Sequence, residues 1–526
     1  MSNSGHAEVV KLLVASAGPK IYKADTPLIH AAEKGHAEVV KVLVANGANV
    51  DEASTDGNTA LIFASDKGHA EVVEFLVASG AKVDQASTGD GQTPLIHASD
   101  KGHAEVVKFL VANGAKVDQA STDGNTPLIF ASDKGQFEIV NILVASGANV
   151  DYANASSQTP LFHAADKGHV EVVKFLVASG AKVNKATGDG RTPLIFASEK
   201  GHAEVAKVLV ANGAIVDEAG SHSQTPLIHA SDKGHVEVVE VLVASGATVD
   251  KADRYGDTPL IFASDKGHAE VVEFLVASGA KVDQTSTGDG QTPLIHASDN
   301  GHVEVVKFLV ASGAKVDQTS TGDGKTPLIH ASNNGHVEVV KFLVANGANV
   351  DQADFDGNTA LMFASTSGNG RVEVVKVLVA NGATVDQGLS DGRTPLILAY
   401  DMGLSEVSKV LIANGANVAQ AVRFFTDNGE LRLASSLRLL ARQEKKKSEE
   451  GPTGRLLPRQ LLRWLLRRLR RRLRFASCCW SWSSATTPRA RVGRRRRRRA
   501  SRRKGRAVKR SSRSRRSLRL GRSCRL

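Results

Sequence analysis

The residues that could do chemistry in this chain are histidines and glutamates that recur two positions apart. The spacing His-x-Glu occurs at His36 and Glu38, at His69 and Glu71, and onward. It is half of a zinc-site signature whose other ligands come from Pro-Cys-x-x-Cys, a segment this chain lacks. Because the pair recurs so regularly, we favour a structural role: the histidine bonds across the turn between two helices, and the glutamate lies in a first helical turn. Metal binding by aligned histidines is the alternative.

A second ring-bearing position also recurs, and His alternates with Phe there until the order breaks at His330. The alternation indicates growth by duplication of repeat pairs. One interpretation is a functional stripe of imidazole and phenyl groups, and the other is a packing position that accepts either ring. The alternating members are His30, Phe63, His97, Phe130, His163, Phe196, His229, Phe262 and His296.

No catalytic set of residues is confined to one place. Gly-Asp-Gly turns such as Gly89–Gly91 lack the Lys-Ser/Thr and the strand-to-helix context of a phosphate loop. Ser/His/Asp and Cys/His combinations at a unique position are missing as well. The sequence therefore predicts a protein that is not an enzyme, with no cofactor, no bound metal and no small-molecule substrate.

These residues are positioned by one unit that recurs from Thr26 to about Gln420, a pattern typical of a solenoid. Most units are 33 residues apart, three intervals are 34, and the interval after Thr359 is 35 because of a lengthened turn at 366–371. The twelve units begin at Thr26, Thr59, Thr93, Thr126, Thr159, Thr192, Thr225, Thr258, Thr292, Thr326, Thr359 and Thr394.

Each unit contains the signals for two short helices. In the first unit, Thr26 can cap free N–H groups and Pro27 suits the first helical position. Gly35 ends this helix, and a second helix runs to Asn46 and Gly47. Helices of this length are not stable alone, so the units must stack and bury a continuous core. The buried side of the second helix is predicted to carry Val39, Val40, Leu43 and Val44.

The pattern G-x-T-P-L…A-A/S-x-x-G-H-x-E-V-V-x-x-L-V…G-A-x-V resembles the ankyrin repeat and covers about four-fifths of the chain. The resemblance implies an all-α repeat solenoid of helix-turn-helix units with projecting β-hairpin-like loops. It also implies a non-catalytic scaffold that binds protein partners along a concave face, through the loop tips and the first helix of each pair.

Charge divides the chain into an acidic body and a basic tail. Residues 421–526 hold 36 Lys and Arg against 5 Asp and Glu, which leaves 31 against 50 in residues 1–420. The acidic body predicts basic protein partners. The cysteines all lie in the tail, and no segment is apolar and long enough for a membrane helix. We expect a monomeric, intracellular, cytoplasmic protein.

The tail has three interpretations: a specific binding segment, a solvated disordered tail with an electrostatic role, or unselected sequence. Leu461–Phe475 has the pattern of a basic amphipathic helix suited to an anionic membrane surface or a calmodulin-type groove. Arginines farther along could bind nucleic acid by phosphate contact, and the alternative function is then a nuclear adaptor. The Arg, Leu and Ser bias of residues 451–526 also agrees with GC-rich sequence translated in an unselected frame. The polyanion-binding candidates are Arg494, Arg495, Arg496, Arg497, Arg498 and Arg499.

We divide the chain into a half-repeat or cap (1–25), twelve repeats (26–420), a closing helix and charged linker (421–450), and a basic, largely disordered tail (451–526). Within the third part, residues 431–447 are predicted to form the closing helix.

Partner contacts are expected where nearly identical copies differ, because identical exposed residues give a partner no particular register. Aromatic and Arg side chains dominate interface hot spots, so the loop tips with Arg254 and Tyr255 and with Phe355 are the sharpest candidates. Neutral drift at exposed turns is the alternative. The full set of candidates is Tyr152, Arg191, His222, Arg254, Tyr255, Phe355, Arg371 and Arg393.

Overall fold

The computed structural model describes residues 27–366 and 371–450, except for the side chains of 449 and 450. Within these ranges the chain forms 26 α-helices. Each of the twelve units contributes a first helix, with an odd number, and a second helix, with an even number. The predicted half-repeat at 1–25, the tail after residue 450 and most of the lengthened turn lie outside the described residues.

The first helices are α1 (Pro27–Glu33), α3 (Ala60–Lys67), α5 (Pro94–Lys101), α7 (Pro127–Asp133), α9 (Pro160–Lys167), α11 (Pro193–Lys200), α13 (Pro226–Lys233), α15 (Pro259–Lys266), α17 (Pro293–Asp299), α19 (Pro327–Asn334), α21 (Ala360–Thr366) and α23 (Pro395–Asp401). The second helices are α2 (Ala37–Ala45), α4 (Ala70–Ala78), α6 (Ala104–Ala112), α8 (Phe137–Ala145), α10 (Val170–Ala178), α12 (Ala203–Ala211), α14 (Val236–Ala244), α16 (Ala269–Ala277), α18 (Val303–Ala311), α20 (Val337–Ala345), α22 (Val372–Ala380) and α24 (Ser405–Ala413). Two further helices, α25 (Val418–Asp427) and α26 (Leu431–Glu450), follow them.

The first helices begin and end as the sequence predicts. In α5 the Thr93 hydroxyl accepts a hydrogen bond from the N–H of Ile96 at 3.2 Å, and Pro94 follows the cap. Gly102 ends the helix with φ +86°, a conformation that a side chain makes costly. Ala98 and Ser99 are fully buried, so neighbouring first helices can approach closely.

The second helices bury one apolar side against the first helices and against each other. In α2, Val39, Val40 and Leu43 are buried as predicted, whereas Val44 is only partly buried. Equivalent Val and Leu residues form one continuous core from α1 to α26. Because each unit's apolar side is covered by its neighbours, stability accumulates from one joint to the next.

Hydrogen bonds join each unit to the one before it. The His69 imidazole Nε2 lies 3.0 Å from the carbonyl oxygen of Glu33, and equivalent histidines through His336 make the same contact. The histidine bond predicted across the turn between the two helices is therefore not made by the imidazole. Only the main-chain N–H of His69 bonds across that turn, to the Ala64 carbonyl at 2.9 Å. We call this series of imidazole contacts the histidine ladder.

A second series runs through the loops. The Asp51 carboxylate accepts the main-chain N–H of Lys82 at 2.9 Å, and the next Asp accepts from Lys116 in the same way. The part of the chain that the structure describes contains no β-strand. Two isolated antiparallel bridges, Ala53 to Thr59 and Ala353 to Thr359, are the extent of the hairpin-like pairing in these loops.

At the C-terminal end of the described chain, α25 and α26 pack on each other. The Asn417 side chain caps α25 by accepting the N–H of Gln420 at 3.1 Å. Phe425, Ala434 and Leu437 are buried between these helices and the last unit. Helix α26 covers the predicted closing segment, but α25 was not predicted, and it crosses the boundary placed at residue 420.

Candidate binding surface at the loop tips

The loop tips are short turns that precede each first helix. In the tip at 54–58, Ser54 and Asn58 are joined by a main-chain hydrogen bond of 2.9 Å, and Gly57 has φ +80°. Tips also bond to their neighbours: the N–H of Thr88 donates to the Asp56 carbonyl at 3.1 Å. The tips are thus held at both sides, which presents their side chains from a fixed backbone.

Three predicted residues come together where two neighbouring tips meet. We call the tip at residues 253–257 the Tyr255 tip, and the tip that precedes it lies at 220–224. The Arg254 guanidinium lies 4.5 Å from the centre of the Tyr255 ring and contacts the Tyr255 hydroxyl. The His222 ring centre lies 6.4 Å from that of Tyr255, and the N–H of Arg254 donates to the His222 carbonyl at 3.0 Å. Tyr255 is 48% exposed. A cation and two rings therefore form one exposed cluster.

The neighbouring tip at 220–224 has an unusual backbone. His222 and Ser223 have φ of +61° and +62°, values at which a side chain is strained. Most other tips place glycine at the position of Ser223, as Gly256 and Gly324 do. Ser157 is the other non-glycine residue at this position, with φ +62°.

Asp253 anchors the Tyr255 tip from below and is only 7% exposed. Its Oδ1 accepts the N–H of Tyr255 at 2.8 Å and the N–H of Asp257 at 3.0 Å. Its Oδ2 is buried and has no hydrogen-bond partner. Burial, and next the charge of Asp253, raise the pKa of the half-buried Asp257 carboxyl to about 6. Two carboxyl groups thus share one poorly solvated site.

The Phe355 tip (residues 354–358) presents the most exposed large hydrophobic side chain of the described chain, at 70%. Its anchor is Asp354, which accepts the N–H of Asp356 at 3.1 Å and of Asn358 at 2.7 Å. The Asn358 side-chain amide lies 3.3 Å from both carboxylate oxygens of Asp354. Here both anchor oxygens have a partner.

The two remaining tip arginines are engaged by acidic neighbours. Arg191 is half-buried, donates to Asp189 at 2.7 Å and to Glu199 at 3.0 Å, and lies 4.1 Å from the centre of the Phe196 ring. Arg393 is exposed and forms an ion pair with Asp391. Arg191 must therefore leave existing contacts before it could bind a partner, whereas Arg393 is accessible.

Tyr152 and Arg371 do not lie at tips. Tyr152 is half-buried and precedes the tip at 154–158. Arg371 precedes α22, where most units have the ladder histidine, and its side chain lies over Gly335. Its Nη1 approaches the carbonyl of Phe363 at 3.4 Å, and burial lowers the pKa of its guanidinium. The placement of Arg371 is that of a joint between units.

Packing between units buries or half-buries most of the rings at the alternating His and Phe position. His330 Nδ1 lies 2.7 Å from Asp299 Oδ1, and this hydrogen bond is the main cause that lowers the pKa of the Asp299 carboxyl. Burial lowers the pKa of the His163 imidazole. In the chain as far as it is described, these rings are buried or half-buried apart from His30, which favours the packing interpretation. Asp partners of the same kind hold His97, His163 and His296.

Within residues 27–366 and 371–450, no group of three or more His, Cys, Asp or Glu side chains is placed to hold a metal ion. No helix in these ranges is long and apolar enough to cross a membrane. The polyanion candidates Arg494 to Arg499 and the amphipathic segment Leu461–Phe475 lie outside the described residues.

Sequence reasoning missed the anchors beneath the tips. Asp253 and Asp354 occupy a position that is Ser, Thr, Asn, Gly or Leu in the other units. A search for Asp-x-x-Gly followed by Asp or Asn finds both tips, at 253–257 and 354–358. The sequence does not reveal that Oδ2 of Asp354 has a hydrogen-bond partner and that Oδ2 of Asp253 has none.

Comparison with known families and structures follows the same repeat. A family model described as "Ankyrin repeats (3 copies)" matches residues 1–87, 82–154, 151–220, 215–286, 249–320, 279–354, 316–388 and 347–421. No curated protein matches the chain. Among solved structures, the ankyrin repeat domain of human ASB11 is 29% identical, with a TM-score of 0.40, over 42% of this chain and 99% of that one.

Proposed function

The chain belongs to the ankyrin-repeat family, and we propose that it is a non-enzymatic scaffold that binds protein partners along the surface of its loop tips and first helices. Proteins of this family typically act as interaction modules without catalytic activity. The specific partner contacts are assigned to the Tyr255 and Phe355 tips.

The observation that carries this proposal is the exposure of Phe355 on a tip with a fixed backbone. The Phe355 N–H donates to the Asp323 carbonyl of the neighbouring tip at 3.1 Å, and Asp354 holds the turn from below. An exposed ring on a preorganised support loses little conformational entropy when it is buried by a partner. Tyr255 with Arg254 offers a second anchor of the same kind.

Charge supports a basic partner. Residues 1–420 carry 50 acidic against 31 basic side chains. An acidic surface raises the association rate of a cationic partner, and this effect weakens as salt screens it. We therefore expect partners whose contact segments are rich in Lys or Arg, and we expect the scaffold to bind them as a monomer.

Affinity capture tests the tips. Residues 1–450 are the suitable bait because α25 crosses residue 420 and α26 packs on it. Hot-spot truncation costs about 2 kcal/mol or more, so Tyr255→Ala or Phe355→Ala should weaken capture roughly thirtyfold. Phe137→Ala is the matched control, since Phe137 is 45% exposed on a second helix, away from the tips. Undiminished capture by both tip variants would remove these residues from the proposal.

An alternative function, a nuclear or nucleic-acid-associated adaptor, is favoured by the charge of residues 421–526, with 36 basic against 5 acidic side chains. In this alternative the tail binds polyanions and the array recruits protein. Comparing the full chain with residues 1–450 as baits separates the scaffold from the adaptor. The full chain should bind DNA or RNA with strong salt dependence, and residues 1–450 should not. Equal nucleic-acid binding by both baits contradicts the adaptor. Cytoplasmic or nuclear location stays a prediction.

A further inference from the structure

We propose that the Tyr255 tip is a proton-gated binding loop, in which a proton on the Asp257 carboxyl group allows it to donate a hydrogen bond to the buried Oδ2 of Asp253. Mildly acidic solution then orders the tip, and neutral solution loosens it. The inference deepens the proposed function, because it concerns the regulation of one of the assigned partner contacts.

The unpartnered oxygen is the first step. Asp253 is 7% exposed and uses Oδ1 for two main-chain N–H groups, while Oδ2 is buried without a donor. A buried charged oxygen without a hydrogen bond is strongly disfavoured. A proton on Asp257, four residues along the same turn, would supply the missing donor.

The second step is an internal control within the same chain. In the Phe355 tip, the residue at the position of Asp257 is Asn358, whose amide lies 3.3 Å from both oxygens of Asp354. Asn and protonated Asp have nearly the same shape, and each offers a donor in this place. The Phe355 tip therefore holds permanently the hydrogen bond that the Tyr255 tip would hold only when Asp257 is protonated.

The third step is the charge around Asp257. Asp253 on the same tip, Asp265 on α15 and Asp289 on the following tip disfavour its ionised form, and His296 on α17 favours it. Asp265 is already paired with Lys266 and His296, and Asp289 contacts Ser286. Burial and these groups together raise the pKa of Asp257 to about 6.

The direction of the pH effect follows from this raised pKa. The ordinary carboxyl value is 3.8, so between roughly pH 4 and pH 6 the folded tip binds more protons than the opened chain. The stability of the tip falls as the pH rises through this window. Between pH 5.0 and pH 7.5, local opening of the tip should increase about tenfold.

Native-state amide hydrogen exchange on the full chain tests the gate, after correction for the intrinsic pH dependence of exchange. Amides of residues 253–257 should lose about tenfold protection from pH 5.0 to pH 7.5, whereas those of 354–358 should not change. Asp257→Asn should abolish the dependence and keep the tip protected at pH 7.5. Asn358→Asp should create the same dependence in the Phe355 tip.

His296→Phe identifies the titrating group, since Phe occupies the same position in other units, as at Phe262. The dependence should persist in this variant. A flat wild-type profile, an Asp257→Asn profile that still changes with pH, or loss of the dependence in His296→Phe would each overturn the gate. If Asp257→Asn does not fold, Asn358→Asp still decides, because a flat profile there also rejects it. None of these measurements requires a partner. A failed capture experiment would therefore reject the proposed function and leave the proton-gated tip to be judged by hydrogen exchange alone.

Discussion

The Tyr255 tip and the Phe355 tip present an aromatic ring on the same frame, yet they differ in what lies beneath it. Both are anchored by a buried aspartate that accepts main-chain N–H groups. Asn358 completes the anchor in one tip, and Asp257 leaves an oxygen unpartnered in the other. In a chain of nearly identical units, the residues that distinguish one site from another are therefore the supports as much as the exposed rings.

The largest expected difference between the tips lies at their glycines. A Cβ at Gly256 would lie 2.4 Å from the Thr287 nitrogen, whereas one at Gly357 would meet only Leu389, at 3.6 Å. Both residues have positive φ, so Gly357→Ala should cost about 1–2 kcal/mol of stability. Gly256→Ala should cost roughly 1–3 kcal/mol more because the following tip must move.

Urea unfolding followed by circular dichroism, together with hydrogen exchange at the two tips, measures this difference. Hydrogen exchange is needed because a repeat array can open one region at a time. Equal losses of unfolding free energy in Gly256→Ala and Gly357→Ala would show that the contact with Thr287 does not hold the Tyr255 tip. The two tips would then not differ in this support.

The next largest difference concerns the anchors at pH 7.5. Asp354→Ala removes the acceptor for Asp356 and Asn358 and should cost about 2 kcal/mol, as expected for hydrogen bonds to a charged group. Asp253→Ala also removes two bonds, but it relieves the repulsion with Asp257, so its cost should be smaller. Thermal unfolding at pH 7.5 checks the order, and a larger loss for Asp253→Ala would reverse the interpretation of the unpartnered oxygen.

The smallest difference lies beside the tips. Ser223, next to the Tyr255 tip, has φ +62°, whereas the equivalent neighbour of the Phe355 tip is Gly324. Ser223→Gly should stabilise the chain by about 1 kcal/mol because the left-handed conformation no longer carries a side chain. Ser157→Gly is a second site for the same gain. Calorimetry measures both, and no gain at either site would mean that the positive φ carries little strain.

The helices could be predicted from the sequence because their signals are local. Thr93, Pro94 and Gly102 act within one helix, and their roles are those expected. Helix α25 was missed because the repeat period is lost near Val422, and its cap at Asn417 belongs to a turn that resembles the preceding loops. Local signals thus suffice where the pattern repeats and fail where it stops.

The contacts between units could not be predicted in the same way. His69 reaches the carbonyl of Glu33, 36 residues earlier, and this requires the offset between stacked units. The sequence indicated the exposed aromatic tips, and the structure places His222, Arg254 and Tyr255 together. The sequence could not indicate that Arg191 forms an ion pair with Glu199, because that ion pair depends on the direction of two side chains.

Arg371 gives the array a mechanical property. Through His336 the histidine ladder fastens units to their predecessors, but the Arg371 guanidinium turns to Phe363 of its own unit. Under a pulling force applied along the stack, we expect the joints after α20, where Arg371 and then Leu404 replace the ladder histidine, to yield before the joints that the ladder fastens. Under the same force, the units up to α20, which include the Tyr255 tip, would then extend less than the units at the C-terminal end of the array.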